Sequence, residues 1–140
     1  YGTLVDQRFR RGRMLEGDEL EEIAEQIAAT FTEDGVWDAG PTLGSATGRA
    51  AIAERMCESP LVFSRHFFVK PEVHVEGDRA TGRWDILAPC TFADGGARWM
   101  CGVEDDDYAR GDDGVWRHTR MRLTTVFLAP AEEGWGRLFA

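Results

Sequence analysis

The second half of the chain alternates apolar and polar residues over four stretches, roughly 61–76, 79–93, 97–110 and 115–128. Between them stand only tight-turn signals: Gly77-Asp78, then Asp94-Gly95-Gly96, then Gly111-Asp112-Asp113-Gly114. Connections this short join antiparallel neighbours, because a parallel pair needs a crossover of about a dozen residues. The pattern therefore predicts an antiparallel meander, and whatever precedes residue 61 has to pack on it.

The first sixty residues carry a helical period. Leu20, Ile23, Ala24, Ile27, Ala28 and Phe31 form one apolar stripe, with Asp18 and Glu21 spaced as a capping box. The opposite face, with Glu19, Glu21, Glu22 and Glu25, reads as solvated and suits the positive end of the helix dipole. Tyr1, Leu4, Val5 and Phe9 predict an earlier helix whose solvated continuation is Arg8, Arg10, Arg11 and Arg13, broken by Gly12 and Glu16-Gly17. Thr32–Gly35 reads as a turn, Val36–Asp38 as a short strand and Gly40–Ser45 as a loop. Thr47 then caps a third helix with Ala51, Ile52 and Met56 on its apolar side, ended by Pro60. Helices followed by a meander predict an α+β fold with helices on one face of a curved antiparallel sheet, and 140 residues leave room for one domain, 1–140.

Charge excludes several functions. The net charge of −9 and the acid clusters Glu19–Glu25 and Glu104–Asp107 repel phosphate backbones and anionic lipid, so no nucleic-acid or membrane partner is expected. The run Glu104-Asp105-Asp106-Asp107 reads as a solvated strand edge whose alternation splits it across two faces. Cys57, Cys90 and Cys101 are odd in number and widely spaced, which predicts reduced thiols in a cytoplasmic protein, and no leader peptide is visible in this span. His66, His74 and His118 share no ligand spacing with them, so no metal is expected. No phosphate loop or serine elbow occurs.

Within this frame the run Phe63-Ser64-Arg65-His66-Phe67-Phe68-Val69 places an imidazole among aromatic and β-branched residues and reads as strand. Such a histidine is either a core residue satisfied by one backbone group or a base facing an apolar pocket. Asp85, in the otherwise apolar strand Gly82–Leu87, either stays protonated as an acid or pairs with Arg120 for structure. Alternation puts Thr81, Arg83, Asp85 and Leu87 on one face of that strand and Gly82, Trp84 and Ile86 on the other. On the last strand it groups His118, Arg120, Arg122 and Thr124.

Phe31-Thr32-Glu33-Asp34-Gly35-Val36-Trp37 ahead of a Gly44-x-x-x-Gly48 loop, Gly77-Asp78-Arg79-Ala80-x-Gly82, Gly114-Val115-Trp116-Arg117 and the closing Pro130 to Gly134-Trp135 resemble the SnoaL-like branch of the nuclear transport factor 2-like superfamily. The resemblance implies a cone-shaped α+β barrel, a bent antiparallel sheet around three helices with a pocket at its wide end. Members include scytalone dehydratase, bile-acid 7α-dehydratase, a hexachlorocyclohexane dehydrochlorinase, ketosteroid isomerase and polyketide cyclases. The first three look closest, since they set an Asp on the first helix and a His on the first long strand, positions matched by Asp6 and His66. The distance from Asp6 to Phe31 exceeds the family's usual spacing, which keeps Asp18 as a rival partner for His66.

The resemblance implies a cofactor-independent lyase acting by dehydratase-like elimination on a small hydrophobic, possibly polycyclic, molecule. His66 is the expected base and Asp6 its orienting group, with Tyr1 and Asp85 as further catalytic groups. Arg120, Trp37, Phe68 and Trp84 are expected to bind substrate. Tyr1 lies about 140° around an ideal helix from Asp6, so both serve one substrate only where the pocket wraps the helix end. Isomerisation of the ketosteroid kind, polyketide cyclisation and a non-catalytic binding or assembly module remain alternatives. Relatives imply a homo-oligomer, dimer or trimer, built through the sheet.

Overall fold

The computed structural model describes residues 1–136 and bears out the α+β reading. Four helical segments, α1 (Gly2–Gln7), α2 (Gly17–Ala29), the single turn α3 (Gly40–Leu43) and α4 (Arg49–Cys57), pack inside a curled sheet. The sheet is made of β3 (Phe31–Asp38), β4 (Ser45–Thr47), β5 (Leu61–Ser64), β6 (Phe67–Glu76), β7 (Arg79–Phe92), β8 (Ala97–Arg110) and β9 (Trp116–Pro130). A separate two-stranded ribbon, β1 (Phe9–Arg10) with β2 (Arg13–Met14), links α1 to α2.

The order across the sheet is β4-β3-β9-β8-β7-β5, with β6 also on β7. The meander β6 to β9 is antiparallel throughout, as the short turns require, whereas β3 lies parallel to β9 and is reached through the long excursion that carries α4. Helix α2 rests along α4, and their apolar stripes meet the inner sheet face around Ile27, Phe31 and Ile52, none of which reaches solvent. Cys57, Cys90 and Cys101 are free thiols, with Cys90 pushed up to about 11 by burial. Among the described residues no helix is long and apolar enough to cross a membrane.

Several local expectations fail. Helix α1 stops at Gln7, and Arg8 is buried rather than solvated, because Arg11 and Gly12 take positive φ and turn the arginine-rich segment back as the β1–β2 ribbon. Helix α2 starts at Gly17, so Asp18 sits inside it and no side chain caps it; likewise Gly48, not Thr47, precedes α4. Thr32–Gly35 is an irregularity within β3, between the pairings Phe31↔His118 and Val36↔Arg120.

Strand β9 contains two irregularities that matter more. Tyr108 pairs with His118 but Asp107 pairs with Arg120, leaving Thr119 as an extra residue; a second shift lies between Cys101 and Gly102 on β8. An extra residue inverts the inward and outward phase of a strand. His118 therefore faces inward with Met121 and Leu123, and Arg120 and Arg122 face out. The second shift draws β9 against Gly102, where an added Cβ would lie 2.8 Å from both Leu123 Cδ1 and the Thr124 carbonyl oxygen. Replacing Gly102 by alanine is expected to lower stability by about 1–3 kcal/mol, read as a reduced urea midpoint at unchanged slope.

Candidate functional site

The interior site begins with a gap in the sheet edge. Strands β5 and β6 lie end to end against β7, pairing with residues 90–92 and 79–87 respectively, and Arg65 and His66 fall between them. Opposite the gap is Pro89, whose nitrogen has no proton to donate, although its carbonyl still accepts the Arg65 N–H at 3.1 Å. With Arg65 turned to Pro89, the backbone N–H of His66 points away from β7, and α1 supplies its acceptor.

That acceptor is Asp6. Its Oδ1 receives the His66 N–H at 3.0 Å and lies 2.7 Å from His66 Nδ1, while Arg65 Nε is 3.3 Å from Oδ2. The side chains of Asp6 and His66 are only 7% and 12% exposed. A carboxylate on Nδ1 fixes the tautomer with its proton there and leaves Nε2 as the acceptor. Asp18 is exposed at the start of α2 and has no part in the pair. His66 itself belongs to the break between strands rather than to a strand, which is why its ring can turn inward beside Phe68, with centroids 6.2 Å apart and planes inclined by 18°.

His66 lines an inner cavity of about 40 Å³ whose walls include Tyr1, Arg8, Trp37, Met56, Leu61 and Glu104. Tyr1 and Glu104 also belong to an outer hollow of about 350 Å³, formed with Gly2, Phe68, Trp84, Asp106, Tyr108 and His118. Trp37 donates its indole N–H to the Tyr1 hydroxyl oxygen at 2.9 Å, so the phenol O–H remains available as a donor. Burial pushes the Tyr1 phenol up and keeps it protonated. Tyr1 meets the cavity directly and Asp6 acts through His66, so their angular separation on α1 is no obstacle.

Arg8 is the buried cation of this interior. Its guanidinium donates to the carbonyls of Val5 (3.2 Å) and Met56 (2.9 Å), which hold it against the cavity wall. Burial lowers its pKa, opposed by the charge of Asp6. On β8, Glu104 and Asp106 are each 3% exposed, since β8 is flanked by β7 and β9 and its even-numbered residues face inward. The acidic run is thus split as alternation requires, but its inner half is buried rather than a solvated edge. Desolvation and the charge of Asp106 hold the Glu104 carboxyl well above the usual 4.5.

Two expected site residues lie elsewhere. Asp85 faces outward and pairs with Lys70 Nζ at 2.5 Å rather than with Arg120, because Trp84 and Ile86 occupy the inward phase of β7. Arg120 lies in an open groove of about 550 Å³ on the outer sheet face, among Glu72, His74, Asp105, Asp107 and Arg122, where the extra residue at Thr119 puts it. Trp37, Phe68 and Trp84 do line the interior, the last donating to Asp106 Oδ2 at 3.1 Å. Sequence reasoning missed Arg8, Glu104, Asp106, Tyr108 and His118. The inward phase of Glu104 and Asp106 was readable from Gly102 and Met100, two and four positions before Glu104; Gly12 signalled a turn but not the burial of Arg8, and the bulge that buries His118 left no signal.

The SnoaL-like domain profile matches residues 21–122. Among solved structures, a Novosphingobium aromaticivorans protein provisionally named an aromatic ring hydroxylase is similar at 23% identity, covering 95% of this chain and 87% of its own, with a TM-score of 0.71. A second protein of that organism, provisionally named a scytalone dehydratase, is 21% identical over 93% of this chain and 79% of its own, with a TM-score of 0.72. The type 3 hexachlorocyclohexane dehydrochlorinase LinA of Novosphingobium barchaimii is 17% identical over 79% of each chain, with a TM-score of 0.67. At these identities the neighbours establish the fold. No curated protein matches the chain.

Two consequences are measurable. Long-range proton–nitrogen NMR of His66 is expected to show the Nδ1–H tautomer in the wild type and a redistribution toward Nε2–H in Asp6→Ala. Above the ordinary glutamate value of 4.5 and up to its raised native value, the folded protein holds a proton on Glu104 that the unfolded chain has released. Stability through that window falls as pH rises, and Glu104→Gln is expected to flatten the fall in a urea-unfolding series.

Proposed function

Because the chain belongs to the SnoaL-like family of the nuclear transport factor 2-like superfamily, we propose that it is a cofactor-independent lyase that eliminates a leaving group from a small hydrophobic, carbonyl-bearing molecule. The observation that carries this reading is the Asp6–His66 pair at 2.7 Å, set at the wall of an interior cavity. His66 Nε2 takes a proton from carbon, and Asp6 stabilises the imidazolium that results. Negative charge grows on the neighbouring carbonyl oxygen, and two donors are placed for it: the Tyr1 hydroxyl and the Arg8 guanidinium, which takes the part first given to Arg120.

The inner cavity admits little more than water, so the body of the substrate lies in the outer hollow against Phe68 and Trp84, with its reacting carbon turned toward His66. Apolar walls suit an aromatic or polycyclic skeleton. Val69, Val73 and Val75, each close to half exposed or more on β6, support assembly of a homo-oligomer through this part of the sheet.

The test is a panel of hydroxylated steroids, polyketides and halocarbons offered to wild type and variants. His66→Ala is expected to lose roughly 10²–10⁴ in kcat/KM, the usual share of a positioned base. Asp6→Asn, which keeps the shape but not the charge, is expected to lose most of the same factor. Equal turnover by wild type and His66→Ala removes His66 from the reaction, and binding of a panel member without turnover by either favours a binding module.

A further inference from the structure

Glu104 and Asp106 occupy successive inward positions of β8, and their surroundings differ. Asp106 Oδ2 accepts from Trp84 Nε1 at 3.1 Å and from the Tyr108 hydroxyl at 2.6 Å, with His118 Nε2 a further 3.6 Å away. Its Oδ1 is buried and has no hydrogen-bond donor among the described residues. An orphaned buried acceptor costs about 1–3 kcal/mol, more when charged. The carboxyl of Glu104 relieves it if it carries the proton between them. Glu104 is also, with Tyr1, one of two residues shared by the cavity that holds His66 and the outer hollow.

We propose that Glu104 is the acid of the elimination, giving its carboxyl proton to a departing oxygen while His66 takes the proton from carbon, with Asp106 as the positioning residue that keeps Glu104 loaded. The proposal rests on the base role of His66. The balance is simple: the C–H bond breaks toward His66 Nε2, its electron pair forms the C=C bond, and the C–O bond breaks. The leaving oxygen takes the Glu104 proton and departs as water, and the imidazolium proton then returns to the Glu104 carboxylate through solvent in the cavity.

Burial, and after it the charge of Asp106, favour the protonated Glu104. The other ionisable groups facing this interior among the described residues are the phenols of Tyr1 and Tyr108, both raised first by burial and so neutral donors, together with Arg8, Arg55, His118 and His66 with its partner Asp6. Among the described residues no three His, Cys, Asp or Glu side chains converge as metal ligands, so the pair is read as a proton site. The acid selects the substrate class. Hydroxide is a poor leaving group without a proton whereas halide leaves as an anion, so the device favours β-hydroxy carbonyl compounds over halogenated ones.

Two measurements on the full chain test this. Infrared difference spectra of wild type at neutral pH are expected to show the carbonyl stretch of a protonated carboxylic acid that vanishes in Glu104→Gln. Its absence from wild type, or its survival in the variant, overturns the proposal without any substrate. With β-hydroxy-indanone and β-bromo-indanone as a matched pair, Glu104→Gln is expected to slow loss of water by roughly 10²–10⁴ and to leave loss of bromide unchanged, with Glu104→Asp restoring part of the former. Equal slowing of both, or of neither, overturns the acid role. Persistence of bromide loss in His66→Ala sinks the base instead, and the infrared band remains to judge Glu104.

Discussion

A proline in a strand with neighbours on both sides is the constraint from which this interior follows. Pro89 keeps its place in β7 because the β8 side of the ladder accommodates it, but on the other side it cannot donate, and the edge is left as two strands with Arg65 and His66 between them. A residue in such a gap has an amide to satisfy and a side chain no longer bound to the pleat. Asp6 answers both needs with one carboxylate, receiving the amide and the ring of His66. The contact ties α1 to the sheet and orients the imidazole at once, so the stability of the edge and the chemistry of the site share one interaction.

The rest of the interior is set by phase. A strand in a curled sheet places alternate residues inside, and an extra residue reverses that assignment from its position onward. On β8 the uninterrupted phase carries Glu104 and Asp106 into the barrel, where water cannot stabilise two charges; on β9 the bulge at Thr119 brings His118 in and sends Arg120 out. His66 and the two carboxyls therefore reach one interior from different parts of the sheet, His66 from the edge and the carboxyls from its middle. Aromatic residues separate them from solvent, with His118 stacked on Phe31 at 4.9 Å and Tyr108 against it at 4.6 Å.

The buried Arg8 offsets part of this negative interior and shows how local patterns mislead. An arginine among arginines reads as surface, yet its guanidinium is held by two backbone carbonyls at the foot of α1, which a long stem can reach from a buried backbone. Asp85 is the converse case. An acid in an apolar strand reads as buried, but the phase of β7 puts it outside, where Lys70 meets it.

The sequence by itself determined the helices α2 and α4, the antiparallel meander that follows them and the α+β class, because those depend on short-range periodicity and on turns too tight to permit another connection. It also carried the family resemblance, and through it Asp6 and His66, though the rivalry with Asp18 was open. Tertiary structure alone decided which acid meets His66, where α1 ends, and which of Asp85, His118 and Arg120 face the interior. Those outcomes turn on single-residue shifts of register and on a partner sixty residues away, and neither a bulge nor a long-range hydrogen bond leaves a period in the chain.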